Sequence, residues 1–111
     1  MQKYARSNDE FCPVAKTLEM IGTPWKVMIV YRLLNGKLRF NEFKKEIPNI
    51  SEKMLSCSLK DLEKDKIIIR TEYHDGPIRV EYELSTEGKQ LKPLIDEMIN
   101  FGNRYTNCKK N

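Results

Sequence analysis

The chain has 111 residues, of which 40% are hydrophobic and 32% are charged, a composition typical of one folded domain rather than a disordered segment. Its net charge of +4 permits a polyanionic partner without requiring one. No apolar run approaches the roughly 20 residues of a membrane span, and segment 1–10 lacks the apolar stretch of a secretory signal. We therefore expect a cytoplasmic protein without membrane contact, whose three cysteines are reduced thiols.

Two helices are predicted in the first third of the chain, each opened by a proline. The Cys12-Pro13 pair begins the first and the Thr23-Pro24 pair begins the second, because proline suits the first helical position, where its missing N–H is not needed. Gly22 ends the first helix, and Asn35-Gly36 ends the strongly apolar second helix with a left-handed turn.

A short helix and a longer amphipathic helix are predicted next. Leu38 to Phe40 is long enough only for a stub of strand, and Asn41 suits the N-cap of a third helix that Pro48 ends. Ser51 caps a fourth helix that runs to about Asp65. The connection between these helices is a three-residue turn.

A hairpin and a long helix complete the predicted elements. Segments 67–74 and 78–84 are β-branched and alternating, and Asp75-Gly76-Pro77 between them is a tight turn. Thr86 caps a last long helix, and Pro93 lies inside it and bends it.

The predicted fold is mainly α with a small β-hairpin, in the order α-α-β-α-α-β-β-α of a winged helix-turn-helix. It forms a single domain over residues 1–111, with flexible ends at 1–10 and 107–111. The last helix carries more apolar surface than so small a core absorbs, so we expect a dimer formed through the terminal helices. Its interface residues are Val14, Leu18, Leu94, Ile95, Met98, Ile99, Phe101 and Tyr105.

The fourth helix divides into an apolar and a basic face. Its apolar face carries Leu55, Leu59 and Leu62, with Met54 beside them. Lysines and short polar side chains occupy the other face, and this combination suits a DNA major groove, because lysines neutralise phosphates and short side chains let the backbone approach base edges. A solvated face with ordinary charge pairs is the alternative for an isolated helix, and the surrounding helix-turn-helix order favours DNA. The residues of this face are Lys53, Ser56, Cys57, Lys60 and Lys64.

Several segments resemble the HxlR-type regulators, bacterial winged-helix transcription factors related to the MarR group. The resemblance runs from Cys12 to about Gly102. It implies a dimer that binds operator DNA with the fourth helix in the major groove and the hairpin, or wing, beside it. The chain departs from the family's pattern at Ser56-Cys57-Ser58, so operator preference is not transferable, and at Thr23-Pro24. The matching segments are Cys12-Pro13-Val14-Ala15, Ile21-Gly22 followed by Trp25, Leu38-Arg39-Phe40-Asn41-Glu42-Phe43, Ile47-Pro48-Asn49-Ile50-Ser51, Lys53-Met54-Leu55, Leu59-Lys60-Asp61-Leu62-Glu63, Arg79-Val80-Glu81-Tyr82 and Leu84-Ser85-Thr86-Glu87-Gly88.

The sequence therefore predicts a homodimeric, sequence-specific repressor that binds a pseudo-palindromic operator. The fourth helix meets bases and phosphates, the stub before the third helix meets the backbone, and the wing meets the backbone or the minor groove. A winged helix used for protein–protein contact, without DNA, is the alternative from another class. The predicted DNA contacts are Arg39, Ser51, Lys53, Ser56, Cys57, Lys60 and Arg79.

Cys12 is the candidate redox or electrophile sensor. A helix N-terminus favours an anion, which makes a thiol there more reactive, and several members of the resembling family respond to oxidants through a cysteine at this place. A buried cysteine that only packs the first helix is the alternative. A small-molecule effector pocket between the helices stays open. No catalytic, metal-binding or cofactor motif is present around the single histidine, His74, so we expect no enzyme, no metal and no cofactor.

Overall fold

A computed structural model describes the backbone of residues 12–110 and the side chains of residues 12–105. The described elements confirm the predicted winged helix-turn-helix, which is mainly helical with a two-stranded antiparallel hairpin. The expected flexible end at 1–10 lies outside the described residues, and flexibility at 107–111 stays a prediction. In chain order the elements are α1 (Pro13–Ile21), α2 (Pro24–Leu33), α3 (Phe40–Glu46), α4 (Glu52–Lys64), β1 (Ile68–Tyr73), β2 (Arg79–Leu84), α5 (Thr86–Lys89) and α6 (Lys92–Lys110).

Three predicted N-caps are confirmed by their hydrogen bonds. Each cap side chain accepts from the backbone N–H three residues ahead, which satisfies a donor that has no partner within the helix. The distances to these N–H groups are 3.5 Å for Cys12 Sγ, 3.2 Å for Thr23 Oγ1 and 3.0 Å for Ser51 Oγ.

The start of α3 differs from the prediction. The helix begins at Phe40 with Arg39 as N-cap, so Asn41 lies inside it. The backbone N–H of Arg39 donates to the Glu42 carboxylate over 2.7 Å, and Leu38 forms an isolated bridge to Tyr82 of β2. The predicted strand stub is thus limited to the bridge at Leu38. The bond to the Glu42 carboxylate caps the helix at Arg39, two residues before the predicted cap Asn41.

The predicted long last helix is two helices. Ser85, rather than Thr86, is the N-cap of α5, because its hydroxyl accepts from the Gly88 N–H over 2.9 Å. Pro93 lies at the second position of α6, not in a helix interior. Its missing N–H cannot bond to the carbonyl of Lys89, so α5 cannot continue through it, and the chain turns between the two helices.

The core lies where α2, α3 and α4 meet the hairpin. The Phe43 ring packs edge-on against Tyr82, with centroids 5.9 Å apart, which joins α3 to β2. The apolar stripe of α4 is buried as predicted, whereas Met54 at its edge is exposed. The buried side chains include Ile21, Ile29, Val30, Leu33, Phe43, Ile47, Leu55, Leu59, Leu62, Ile68, Leu84 and Ile95.

The outer sides of α1 and α6 are apolar and exposed. Phe101 packs on Tyr105 at 4.8 Å, yet both rings are more than half exposed. Ile95 is a correction to the predicted interface, because it is 2% exposed and packs in the core of its own chain. The other predicted interface residues stay on the surface, with Ile99 partly buried at its edge. None of the described helices has the length and apolar character needed to cross a membrane.

Candidate nucleic-acid interface

The turn between α3 and α4 holds the two helices at a fixed geometry. Ile47 and Ile50, on either side of it, are buried in the core. Asn49 adopts a left-handed conformation with φ of 71°, which asparagine tolerates better than most residues. Because buried isoleucines anchor both ends of the turn, α4 is presented to solvent in one orientation.

An ion pair between helices reinforces this arrangement. Lys44 near the end of α3 contacts the Glu52 carboxylate in the first turn of α4. The hydrogen bond and the charge of Lys44 hold the pKa of Glu52 below its ordinary value. The carboxylate also lies at a helix N-terminus, where the dipole favours negative charge.

The outer face of α4 is basic and open. Lys53, Cys57 and Lys60 are exposed and Ser56 is half-buried, all opposite the leucine stripe. Among the described side chains, neither Lys53 nor Lys60 makes an ion pair, so both charges are available to an anionic partner. Ser51 is exposed at the start of the same helix, and its oxygen already caps the helix.

The hairpin presents different chemistry on its two faces. Successive strand residues alternate between faces, and the register pairs Arg70 with Tyr82 and Tyr73 with Arg79. Tyr82 is buried, so Arg70 shares the inner face that looks toward α4. Arg79 therefore lies on the outer face, away from α4.

Arg79 is already engaged in the structure. Its guanidinium bonds Asp75 over 3.0 Å and Glu81 over 3.3 Å and lies 4.4 Å from the centroid of the Tyr73 ring. The hydrogen bond to Glu81 contributes most to a raised pKa of Arg79. Lys37, in the loop after α2, reaches the same Tyr73 and Glu81. The outer face is thus a paired charge network that ties the hairpin to that loop.

A cleft of about 280 Å³ separates α4 from the inner face of the hairpin. Sequence reasoning left Arg70 out of the predicted contacts, although a signal was present: Arg70 follows buried Ile68 by two residues, and strand alternation places both on one face. The cleft is lined by Ser56, Leu59, Lys60, Glu63, Arg70 and Tyr82.

The remaining predicted residues lie on other elements. Arg39 is exposed at the N-cap of α3, next to the helix-turn-helix. Cys12 is half-buried at the start of α1, whereas Cys57 is exposed on α4. The side chain of Cys108 lies outside the described part. Within that part, no group of three or more histidine, cysteine, aspartate or glutamate side chains is placed to hold a metal ion.

The sequence matches the profile of the HxlR-like helix-turn-helix family over residues 20–110. The chain belongs to this family. It is 43% identical over 102 residues to the uncharacterized HTH-type transcriptional regulator YdeP of Bacillus subtilis (strain 168), covering 92% of this chain and 80% of YdeP. The resemblance predicted from the sequence motifs is thereby confirmed.

Solved structures of regulators resemble the HxlR-like chain closely. The redox regulator HypR in its oxidized form has a TM-score of 0.80 and 42% identity, covering 84% of this chain and 96% of HypR. The reduced form of the transcriptional regulator YodB from B. subtilis has a TM-score of 0.76 and 32% identity, covering 86% of this chain and 95% of YodB. The HxlR-like chain thus belongs among transcriptional regulators, and no enzyme family is indicated.

Proposed function

We propose that the protein is a cytoplasmic homodimeric repressor that binds a pseudo-palindromic DNA site with α4 in the major groove. The outer face of α4 carries this proposal, because its unpaired lysines and short side chains are held outward by a rigid turn. The side chains that would meet the groove are spaced three or four residues apart, so they lie on one side of the helix. They are Lys53, Ser56, Cys57 and Lys60. Such side chains neutralise phosphates and let a helix approach base edges.

Three further proposed contacts lie outside the basic face of α4. Arg39 is exposed beside the turn and is free to reach the phosphate backbone. Arg79 contributes once DNA phosphates replace Asp75 and Glu81 as its partners. Ser51 keeps its hydroxyl hydrogen for a phosphate or base acceptor while its oxygen caps α4.

The exposed apolar sides of α1 and α6 support the homodimer. They surround a groove of about 310 Å³ that includes Val14, Leu18, Leu94 and Met98, and a second copy would remove this surface from water. Two-fold symmetry then places the half-sites ~10 base pairs apart, or a multiple of that. A small apolar effector is the other occupant that suits this groove.

Selection from a random-sequence duplex pool tests the DNA proposal. The reduced protein should enrich a two-fold symmetric sequence, and affinity for it should fall steeply with salt because several phosphates are neutralised. The Lys53→Glu, Lys60→Glu double variant should lose binding while keeping its fold and its oligomeric state. Lys16→Glu with Lys89→Glu makes the same charge change outside the helix-turn-helix and should retain the sequence preference. Failure of the wild-type protein to enrich any sequence would favour a protein-interaction module instead.

Cys12 is the proposed redox sensor. Its sulfur accepts a hydrogen bond from the Ala15 N–H at the start of α1, and the residue is half-buried rather than enclosed in the core. HypR, a similar structure, is described as a redox regulator in its oxidized form. The thiol lies on a helix of the proposed dimer surface, so its oxidation would alter how two copies meet.

The Cys12→Ser variant tests this role through DNA affinity measured with and without a mild thiol oxidant. Oxidant should change the affinity of the wild-type protein and leave that of Cys12→Ser unchanged. Cys57→Ser removes the exposed thiol of α4, and it should keep the oxidant response. A response that persists in Cys12→Ser and disappears in Cys57→Ser would instead indicate direct blocking of the groove face.

A further inference from the structure

The cleft between α4 and the hairpin brings two cationic side chains from different elements to one place. Lys60 enters it from α4 and Arg70 from β1, with Ser56 on the same wall. Arg70 carries a planar fork of donors, Lys60 a mobile ammonium and Ser56 a hydroxyl. This set of donors is suited to a tetrahedral oxyanion.

Arg70 has an internal carboxylate partner in the structure. Its Nη1 lies 3.0 Å from Glu72 Oε2, and Glu72 Oε1 lies 3.2 Å from His74 Nε2. The Arg70 and Glu72 side chains are 38% and 42% exposed, so water screens the pair and it contributes little to stability. An anion that binds Arg70 more tightly can displace Glu72 from the guanidinium. The displaced Glu72 carboxylate keeps its contact with His74.

We infer that this cleft binds one backbone phosphate of DNA, held by Arg70, Lys60 and Ser56, and that Glu72 competes with the phosphate for Arg70. The inference rests on the proposed function and adds a contact to it. It assigns Arg70 a binding role and Glu72 an opposing one.

The position of the cleft identifies the phosphate as part of a DNA strand. A helix in the major groove and a hairpin beside the neighbouring minor groove are separated by one phosphate backbone, and the cleft lies between those two elements. Glu63 is the carboxylate that lines the cleft, and the charges of Lys60 and Arg70 exceed it once Glu72 is displaced. Because backbone phosphates repeat whatever the sequence, this contact positions the protein without selecting bases.

Two substitutions of opposite effect test the inference by fluorescence anisotropy on labelled duplexes. Arg70→Gln should weaken binding at least about tenfold, the effect of losing a charge-assisted hydrogen bond, and by the same factor on a selected and a random-sequence duplex. Glu72→Gln should tighten binding to both duplexes, because it removes the competitor. Arg70→Lys keeps the positive charge but lacks the planar set of guanidinium donors, so its DNA affinity should lie between those of wild type and Arg70→Gln.

Salt dependence and neutral phosphates supply the independent readouts. In Arg70→Gln the slope of log affinity against log salt should become shallower by about 1.8 for a dimer, at ~0.9 per lost phosphate contact. A duplex with one methylphosphonate at the contacted position should bind wild type more weakly. The loss should be smaller in Arg70→Gln, in which only Lys60 and Ser56 still hold that phosphate. Lys89→Gln, a charge removal on α5 outside the cleft, should leave the slope unchanged.

The outcomes separate this inference from the DNA proposal. If wild type binds selected DNA but Arg70→Gln and Glu72→Gln bind with wild-type affinity and slope, the cleft assignment is wrong and the repressor proposal stands. If Arg70→Gln weakens binding only on the selected sequence, Arg70 reads bases and the phosphate assignment is wrong. Absence of DNA binding by the wild-type protein would overturn both.

Discussion

The orientation of α4 depends on a few side-chain contacts around its N-terminus. Ser51 caps the helix, Asn49 takes the left-handed turn position, and Lys44 holds Glu52 from the preceding helix. These contacts are short-range, so they act on the angle between two neighbouring helices. A change at Asn49, Lys44 or Glu52 should therefore alter DNA affinity without removing a contact to DNA.

The Lys44–Glu52 pair predicts a pH dependence of stability. Lys44 lowers the pKa of Glu52 in the folded protein. The ion pair therefore stabilises the folded protein above pH 4.5, the ordinary Glu value, and this stabilisation is lost as the pH falls through the lowered pKa. Lys44→Gln should raise the pKa of Glu52 toward 4.5, which carboxyl chemical shifts in an NMR titration measure. The stability difference between wild type and Lys44→Gln, from urea unfolding, should disappear at acidic pH. An unchanged Glu52 titration in Lys44→Gln would contradict the pairing.

Three residues show what can and what cannot be predicted from the sequence. Ser51 is identifiable as a cap because capping is a local property of a few adjacent residues. The sequence predicts Ile95 in the dimer interface, whereas it is buried in its own chain. Periodicity identifies an apolar face but does not tell whether its own chain or a second copy covers each residue. Arg70 is absent from the predicted contacts, because its proposed role depends on how the hairpin faces α4. Strand alternation indicates that tertiary relation only once a core face is known.

Among the elements, α5 is the shortest, and long-range contacts define it. Ser85 is 6% exposed. Its hydroxyl lies within hydrogen-bond distance of the carbonyls of Lys66 and Ile67, 2.7 and 3.0 Å away, and its oxygen accepts from Gly88. The turn after α4 is thus fastened to the start of α5. Those carbonyls are 19 and 18 residues distant along the chain, so a prediction from neighbouring residues alone joins α5 to α6.

Gly88 should tolerate no side chain. A Cβ there would lie 2.2 Å from the carbonyl oxygen of Ile67 and 3.2 Å from a methyl group of Leu84. Gly88→Ala should therefore lower the free energy of unfolding by about 1–3 kcal/mol through overpacking, measured by urea denaturation.

Gly102→Ala is the matched control for Gly88→Ala. A Cβ at Gly102 has no neighbour within 4 Å, and Gly102 lies inside α6, where alanine is favoured by about 0.5–1 kcal/mol. This variant should be as stable as wild type or more stable. Equal destabilisation by both substitutions would show that Gly88 is not closely packed against Ile67.

At the scale of the whole molecule, the described chain is extended for its length. Its radius of gyration is 16.0 Å, whereas a compact domain of 100 residues has about 13 Å. The 19-residue α6 extends beyond the small core and carries exposed apolar side chains. The spacing of apolar residues in the sequence predicts this excess of apolar surface, but local patterns do not tell what covers it.

The proposed dimer predicts a specific effect of charge on α6. Met98→Glu should make the protein monomeric, because Met98 is 41% exposed and lines the apolar groove, and a carboxylate there would be desolvated at the interface. Sedimentation equilibrium measures the molar mass in solution, which should fall to that of one chain. The affinity of Met98→Glu for a two-fold symmetric duplex should also be lower than that of wild type.

Ile69→Glu is the control for Met98→Glu. Ile69 is 47% exposed in strand β1 of the hairpin and is not part of the proposed interface, so the same substitution there should leave the mass unchanged. A dimer that survives Met98→Glu would place the interface elsewhere on the molecule.

In the proposed repressor, the exposed apolar side of α6 links the amount of protein made to the degree of repression. Where protomers associate only weakly before they reach DNA, the occupancy of a two-fold site rises with the square of protomer concentration. A modest rise in synthesis then produces a larger rise in repression, and dilution at cell division relieves it just as sharply. The hydrophobicity of one helix would thereby set the protein level at which the regulated gene switches off.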